Sequence, residues 1–166
     1  MDLYDMTVPG FVRGLTSLRA FLEKGRAWAE AEGRPESALT GARLIADMGP
    51  LTAQVQRASD TAKGLAVRVG GAENVAFADE EVTFADLFAR IDRTIAFLNG
   101  VDRAGFAGKE AAPVQLVTPN GALDFTGESY SQGFAVPNFW FHVTTAYAIL
   151  RAQGVPVGKM DFLGAR

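Results

Sequence analysis

The chain has 166 residues, 48% hydrophobic and 21% charged, with a formal net charge of −3. These values fit one globular domain with a sizeable core, and the acidic balance lacks the basic footprint of a nucleic-acid binder. The absence of cysteine excludes disulfides, thiolate nucleophiles and cysteine-ligated metal centres, and suits a reducing cytoplasm.

The opening residues 1–7 carry Asp2 and Asp5 and no basic cluster, so they do not read as a signal peptide. No apolar run approaches the ~20 residues that span a bilayer. The first helix is expected over about 7–32. Val8, Phe11, Val12, Leu15, Leu18 and Leu22 form one stripe. Thr7 stands as N-cap and Pro9 in the first turn, where a proline is tolerated, and Gly33 to Pro35 end the segment. A short connection, 36–41, leads to a second helix over about 44–69, interrupted by Pro50 and regular from there. Leu51, Val55, Ala58, Ala62 and Leu65 line its apolar face, with Gln54 beside them and Gly70-Gly71 as the stop.

The third helix starts at Thr83-Phe84-Ala85-Asp86, a capping-box pattern. Its stripe is Phe84, Leu87, Phe88, Ile91, Ile95 and Leu98, and Asn99-Gly100 end it. The acidic run Asp79-Glu80-Glu81 just before it reads as a solvated helix start. Val114 to Val117, then Pro119-Asn120-Gly121, then Ala122 to Phe125 read as a β-hairpin packed on the helices. A fourth helix is expected over about 127–153, with Thr126 as cap, and the tail from Val155 as irregular chain packing back on the body. Three or four long amphipathic helices with short links make an antiparallel bundle the default all-α architecture.

The fourth helix holds the only histidine, His142, between the apolar positions Phe139, Val143, Ala146 and Leu150. Pro137 lacks an N–H, and its ring opposes the carbonyl of Gly133, so a bend with a free carbonyl is expected at 133–137. Two readings of His142 stand. It faces a pocket as a hydrogen-bonding or catalytic group able to titrate near neutrality, or it is a core histidine bonded to a carbonyl or carboxylate that keeps two helices in register. Asn138 and Tyr130 lie at a similar level. Phe134, Phe139, Trp140, Phe141 and Tyr147 are either cavity lining or core. A single histidine excludes a three-histidine centre within one chain. No Glu-x-x-His motif, GxSxG elbow or phosphate loop occurs, and Asp47 and Asp60 do not form an obvious pair.

The segments Leu3 to Pro9, Ala42 to Met48, Pro137 to Arg151 and Gly154 to Gly164 resemble a bacterial and fungal family, the domain of unknown function DUF1993, across nearly the whole chain. That family is grouped with the DinB/YfiT-like superfamily of metalloenzymes. The resemblance implies an up-down-down-up four-helix bundle, often a homodimer, here with a small β-hairpin between the third and fourth helices. Active members of the superfamily hold zinc or nickel on one histidine of the second helix and a His-x-x-x-His pair on the fourth. Some are thiol-dependent transferases or isomerases. Here His142 can match one member of the pair, but its partner position is Ala146 or Asn138, and Gln54 stands nearest the second-helix place. Neutral amides are weak ligands beside imidazole, so neither a metal nor another cofactor is expected. The expected site is a small-molecule pocket between the second and fourth helices, with Asp47, Gln54, Tyr130, Asn138, Trp140 and His142 as its residues. The alternatives are an enzyme with His142 as general base and Asn138, Tyr130 or Asp47 orienting the substrate, and a metal-dependent thiol transferase or isomerase with an unusual ligand set.

Overall fold

The computed structural model describes residues 2–164. In chain order the elements are α1 (Val8–Ala31), α2 (Ser37–Thr40), α3 (Leu51–Arg68), α4 (Phe84–Asn99), a 3-10 turn (Arg103–Phe106), β1 (Pro113–Thr118), β2 (Gly121–Thr126), a π-helical run (Ser129–Ala135), α5 (Val136–Ala152) and α6 (Lys159–Leu163). The fold is mostly helical with one two-stranded antiparallel sheet. Helix α3 packs against α4 and α5, and α1 packs against the same two, so the four long helices close around one core. No described helix is long and apolar enough to cross a membrane.

The stripes read from the sequence are the faces that meet. Leu51, Val55, Ala58, Ala62 and Leu65 of α3 are fully buried, as are Phe139, Val143, Ala146 and Leu150 of α5. Burying each large apolar side chain contributes roughly 1.5–3 kcal/mol, more than intrinsic helix propensity supplies. The capping box forms: Thr83 Oγ1 accepts from the Asp86 N–H at 3.2 Å, and Asp86 accepts from the Thr83 N–H at 2.8 Å. The hairpin pairs Val114 with Phe125 and Thr118 with Gly121 around the two-residue loop Pro119-Asn120. Gly121 has φ 123°, a conformation that favours glycine. Its base is tied where the Gly127 N–H donates to the Ala112 carbonyl at 2.8 Å.

Several expectations are corrected. Regular helix begins at Leu51, and 43–49 is turn and coil, so Asp47 is not on a helix. The 36–41 connection contains α2, and the tail contains α6, whose first turn is held by Asp161 accepting from the Gly158 N–H at 2.7 Å and by an ion pair with Lys24. Val155 and Val157 do pack back, while Met160 and Leu163 are exposed. Residues 165 and 166 of the expected tail lie outside the described residues. Thr7 stands at the N-cap without a side-chain cap bond, because its buried hydroxyl donates to the Leu3 carbonyl at 2.5 Å.

The irregularity before Pro137 takes the form of a π-helical run, in which the Val136 N–H donates to the Ser131 carbonyl five residues back. Wider turns absorb a residue without a donor. They also set the side-chain faces. In an α-helix of 3.6 residues per turn, residues four apart drift by about 40°. Turns closed over five residues drift the opposite way. The run thereby helps keep Tyr130 and Phe134 on the α3-facing side with Asn138.

The acidic run before α4 is only partly solvated. Arg90, fully buried on α4, reaches Asp60 at 2.8 Å, Asp79 at 2.9 Å and Glu81 at 3.0 Å, and it donates to the Ala78 carbonyl at 3.1 Å. Glu81 is nearly buried as well. A buried guanidinium needs paired charge around it, and the coil between α3 and α4 supplies it. Phe77 of that coil lies under Lys63, 3.8 Å from the ring centre, and under Arg93 at 4.5 Å. Together these contacts fasten an otherwise irregular connection to α3 and α4.

Candidate functional site at the α3–α5 seam

His142 on α5 is 8% exposed. Its Nδ1 lies 2.8 Å from Gln54 Oε1 on α3, and Gln54 Nε2 donates to the Gly49 carbonyl at 2.9 Å. The second bond fixes the amide: its oxygen faces the ring, so the ring donates from Nδ1. The opposite nitrogen, Nε2, carries the lone pair. It has no partner among the described residues and is not fully sealed from the surface. The histidine thus donates to a carbonyl oxygen, that of the Gln54 side chain, and ties α5 to α3, the arrangement expected of a core residue that keeps two helices in register.

Burial pushes the His142 imidazole down to about 4, with the nearby Arg57 charge acting in the same direction. The unfolded ring takes its proton near 6.5. Between those values the unfolded chain holds more protons than the folded one, so stability is lost as pH falls from 6.5 toward 4, by up to roughly 3 kcal/mol. With one histidine in the chain, a two-dimensional imidazole NMR titration reads this directly. A midpoint near 4 is expected, and one near 6.5 would mean the ring is hydrated.

One turn earlier on α5, Asn138 Nδ2 donates to Thr61 Oγ1 at 2.7 Å, and Thr61 donates to the Arg57 carbonyl at 2.7 Å. Here the seam opens into a cleft of about 220 Å³. Thr61, Tyr130 and Asn138 supply polar groups, Leu116 of β1 and Phe134 supply an apolar wall, and Arg57 and Arg68 flank it, with Asp60 at the edge. Tyr130 is buried and accepts from Arg68 Nη1 at 3.0 Å. Its hydroxyl is held above the ordinary tyrosine value by burial, so it keeps its proton.

Of the residues expected in the site, Gln54 pairs with His142, and Asn138 joins Tyr130 in the neighbouring cleft. Trp140 does not share it. Trp140 lines a separate apolar groove with Leu44, Met48 and Phe141, beneath the 43–49 segment, and Asp47 is exposed in that segment. His142 itself lines neither opening. Sequence reading missed Arg57, Thr61, Arg68 and Leu116. For Arg57, Thr61 and Arg68 the signal is the spacing 57, 61, 64, 68, one stripe of α3, which a sequence alone does not distinguish from a solvated face.

The positions where the superfamily holds its metal do not fit one here. The donors are one imidazole and two amides: Gln54 is bonded on both ends, the Asn138 nitrogen is bound to Thr61, and Ala146 offers nothing. No three His, Cys, Asp or Glu side chains gather among the described residues in a way that could hold a metal ion.

Residues 3–163 match the model of the domain of unknown function DUF1993. A crystal structure of a DinB family member from Shewanella denitrificans, determined at 1.83 Å resolution, is similar with a TM-score of 0.88 and 41% identity, covering 99% of this chain and 93% of that one. No curated protein matches the chain.

Proposed function

The chain belongs to the DUF1993 family, and on that footing we propose that it binds a small molecule in the cleft between α3 and α5, on an up-down-down-up bundle whose ancestral metal triad is degenerate. The observation that carries this reading is the cleft itself. It is open, sits one helical turn from the triad position His142, and exposes hydrogen-bonding groups of Thr61, Tyr130 and Asn138 against an apolar wall. Such pockets, mostly apolar with a few converging polar groups, are where small ligands are held.

His142 as general base is the second reading, and its open Nε2 lone pair favours it. A conjugate acid near 4 makes that nitrogen a weak base at neutral pH, so in the preferred reading His142 ties α5 to α3 beside the cleft. The proposal also includes a cytoplasmic location, for which the cysteine-free sequence speaks, and a homodimer, for which exposed Leu44, Ile45 and Phe141 offer an apolar face.

The test is a fragment screen on ¹⁵N-labelled protein that includes neutral and charged compounds. Binders are expected to converge on the signals of Thr61, Tyr130 and Asn138. A screen whose hits all map elsewhere, or that gives none, would overturn the small-molecule reading.

A further inference from the structure

Resting on the cleft reading above, we infer that the ligand is an organic anion, with a carboxylate or phosphate held by Arg68 beside Tyr130 and an aromatic or branched body against Phe134 and Leu116. Both arginines are exposed at the cleft, and neither has a carboxylate partner within ion-pair distance among the described residues. The one carboxylate at the cleft, Asp60, is engaged by Arg90 at 2.8 Å and by Lys63 at 3.8 Å. The opening therefore carries two uncompensated positive charges in a protein of net charge −3.

The arginines are also positioned. Arg68 lies against Gly64, at a place a side-chain carbon would fill, and donates to Tyr130. Its stem is thus folded back along α3 toward Arg57. Arg57 Nη1 is 3.0 Å from where a Cβ on Gly49 would stand, beside the carbonyl that anchors Gln54. The two arginines lie eleven residues apart on α3, about 16 Å along its axis, so the acid group meets Arg68, whose planar fork suits oxyanions, and Arg57 adds positive field from the far end. Tyr130 keeps a hydroxyl proton with no acceptor among the described residues, and Asn138 keeps a second amide hydrogen; both can donate to the same anion. The apolar wall disfavours a bare inorganic ion as the preferred occupant.

Benzoate, phenyl phosphate and neutral benzamide, titrated by NMR against the full chain, test this. Either anion is expected to shift Thr61, Tyr130 and Asn138, at least about tenfold more tightly than benzamide. Arg68→Gln should weaken it about tenfold and Arg57→Gln by a smaller factor, and added salt should weaken it further. Gly64→Ala, which keeps both charges but displaces the Arg68 head, should also weaken binding. Whichever anion binds more tightly identifies the group. Benzamide binding as well as the anions, or anion binding unmoved by both arginine substitutions, overturns the charge assignment and leaves a cleft for neutral molecules. No shift at these residues with any of the three probes overturns the anion site; the wider cleft reading then stands or falls on the fragment screen.

Discussion

Arg90→Ala is expected to destabilise the protein by about 3–5 kcal/mol, the cost of removing one side of a buried ionic cluster. For a chain of this size the melting temperature falls by roughly 6–20 °C. The loss comes chiefly from Glu81, which has almost no access to water, and from the freed coil that carries it. Asp60 and Asp79 are 48% and 61% exposed and can turn to solvent. Arg90→Met with Glu81→Gln should therefore recover part of the loss, since it refills the volume and removes the stranded charge. The control is Arg103→Ala. Arg103 also meets two carboxylates, Asp2 at 2.9 Å and Asp5 at 2.7 Å, but is 57% exposed, and its removal should cost under about 1 kcal/mol. Urea unfolding of the variants separates the two cases. Equal losses for Arg90→Ala and Arg103→Ala would show that burial adds nothing to the cluster.

Phe139→Ala should cost a comparable 3–5 kcal/mol or so. The ring is fully buried where α1 crosses α5, 4.4 Å from the Phe11 centroid and 5.2 Å from that of Trp140. Gly14 of α1 makes the space for it: a Cβ there would lie 2.6 Å from Phe139 Cε1. Gly14→Ala should thus overpack the crossing by about 1–3 kcal/mol, offset in part by the roughly 1 kcal/mol that alanine gains over glycine in a helix. The two sites share one volume, so they should not behave independently. Combining Gly14→Ala with Phe139→Leu should cost less than the sum of the two alone. Strict additivity in urea melts would mean that α1 shifts freely against α5, contrary to the packing described.

The apolar stripes, the capping box and the Asn-Gly hairpin were legible in the sequence because each is a local pattern with a local cause. Phe139, Val143, Ala146 and Leu150 need only the helical period to be assigned inward, and Thr83 needs only Asp86. The placement of His142 beside Gln54 was legible in part, since both sit at the edge of their stripes. Arg90 was not legible. It also flanks a stripe, but its partners are 9 to 30 residues away in two different segments, and nothing local announces that they converge. The cleft was legible only in part: Tyr130 and Asn138 were named for it, but its apolar wall needs Leu116 from the hairpin. Trp140 misled because adjacency to Asn138 and Phe139 in sequence places it on a different side of the helix.

Because Ser129–Ala135 closes its turns over more residues than its neighbours, the helix from 127 to 152 carries its two halves at separately adjustable phases. Downstream, the phase is locked by the α3–α5 core. Upstream, it is locked by the hairpin, through Phe125 against Tyr130 at 5.6 Å. Losing a single residue from the run would let the whole segment wind as ordinary α-helix, with Tyr130 and Asn138 seven residues apart and still within about 20° of one face. The run acts as a vernier between two fixed scales: it takes up one residue of chain while the hairpin half and the core half both keep their settings.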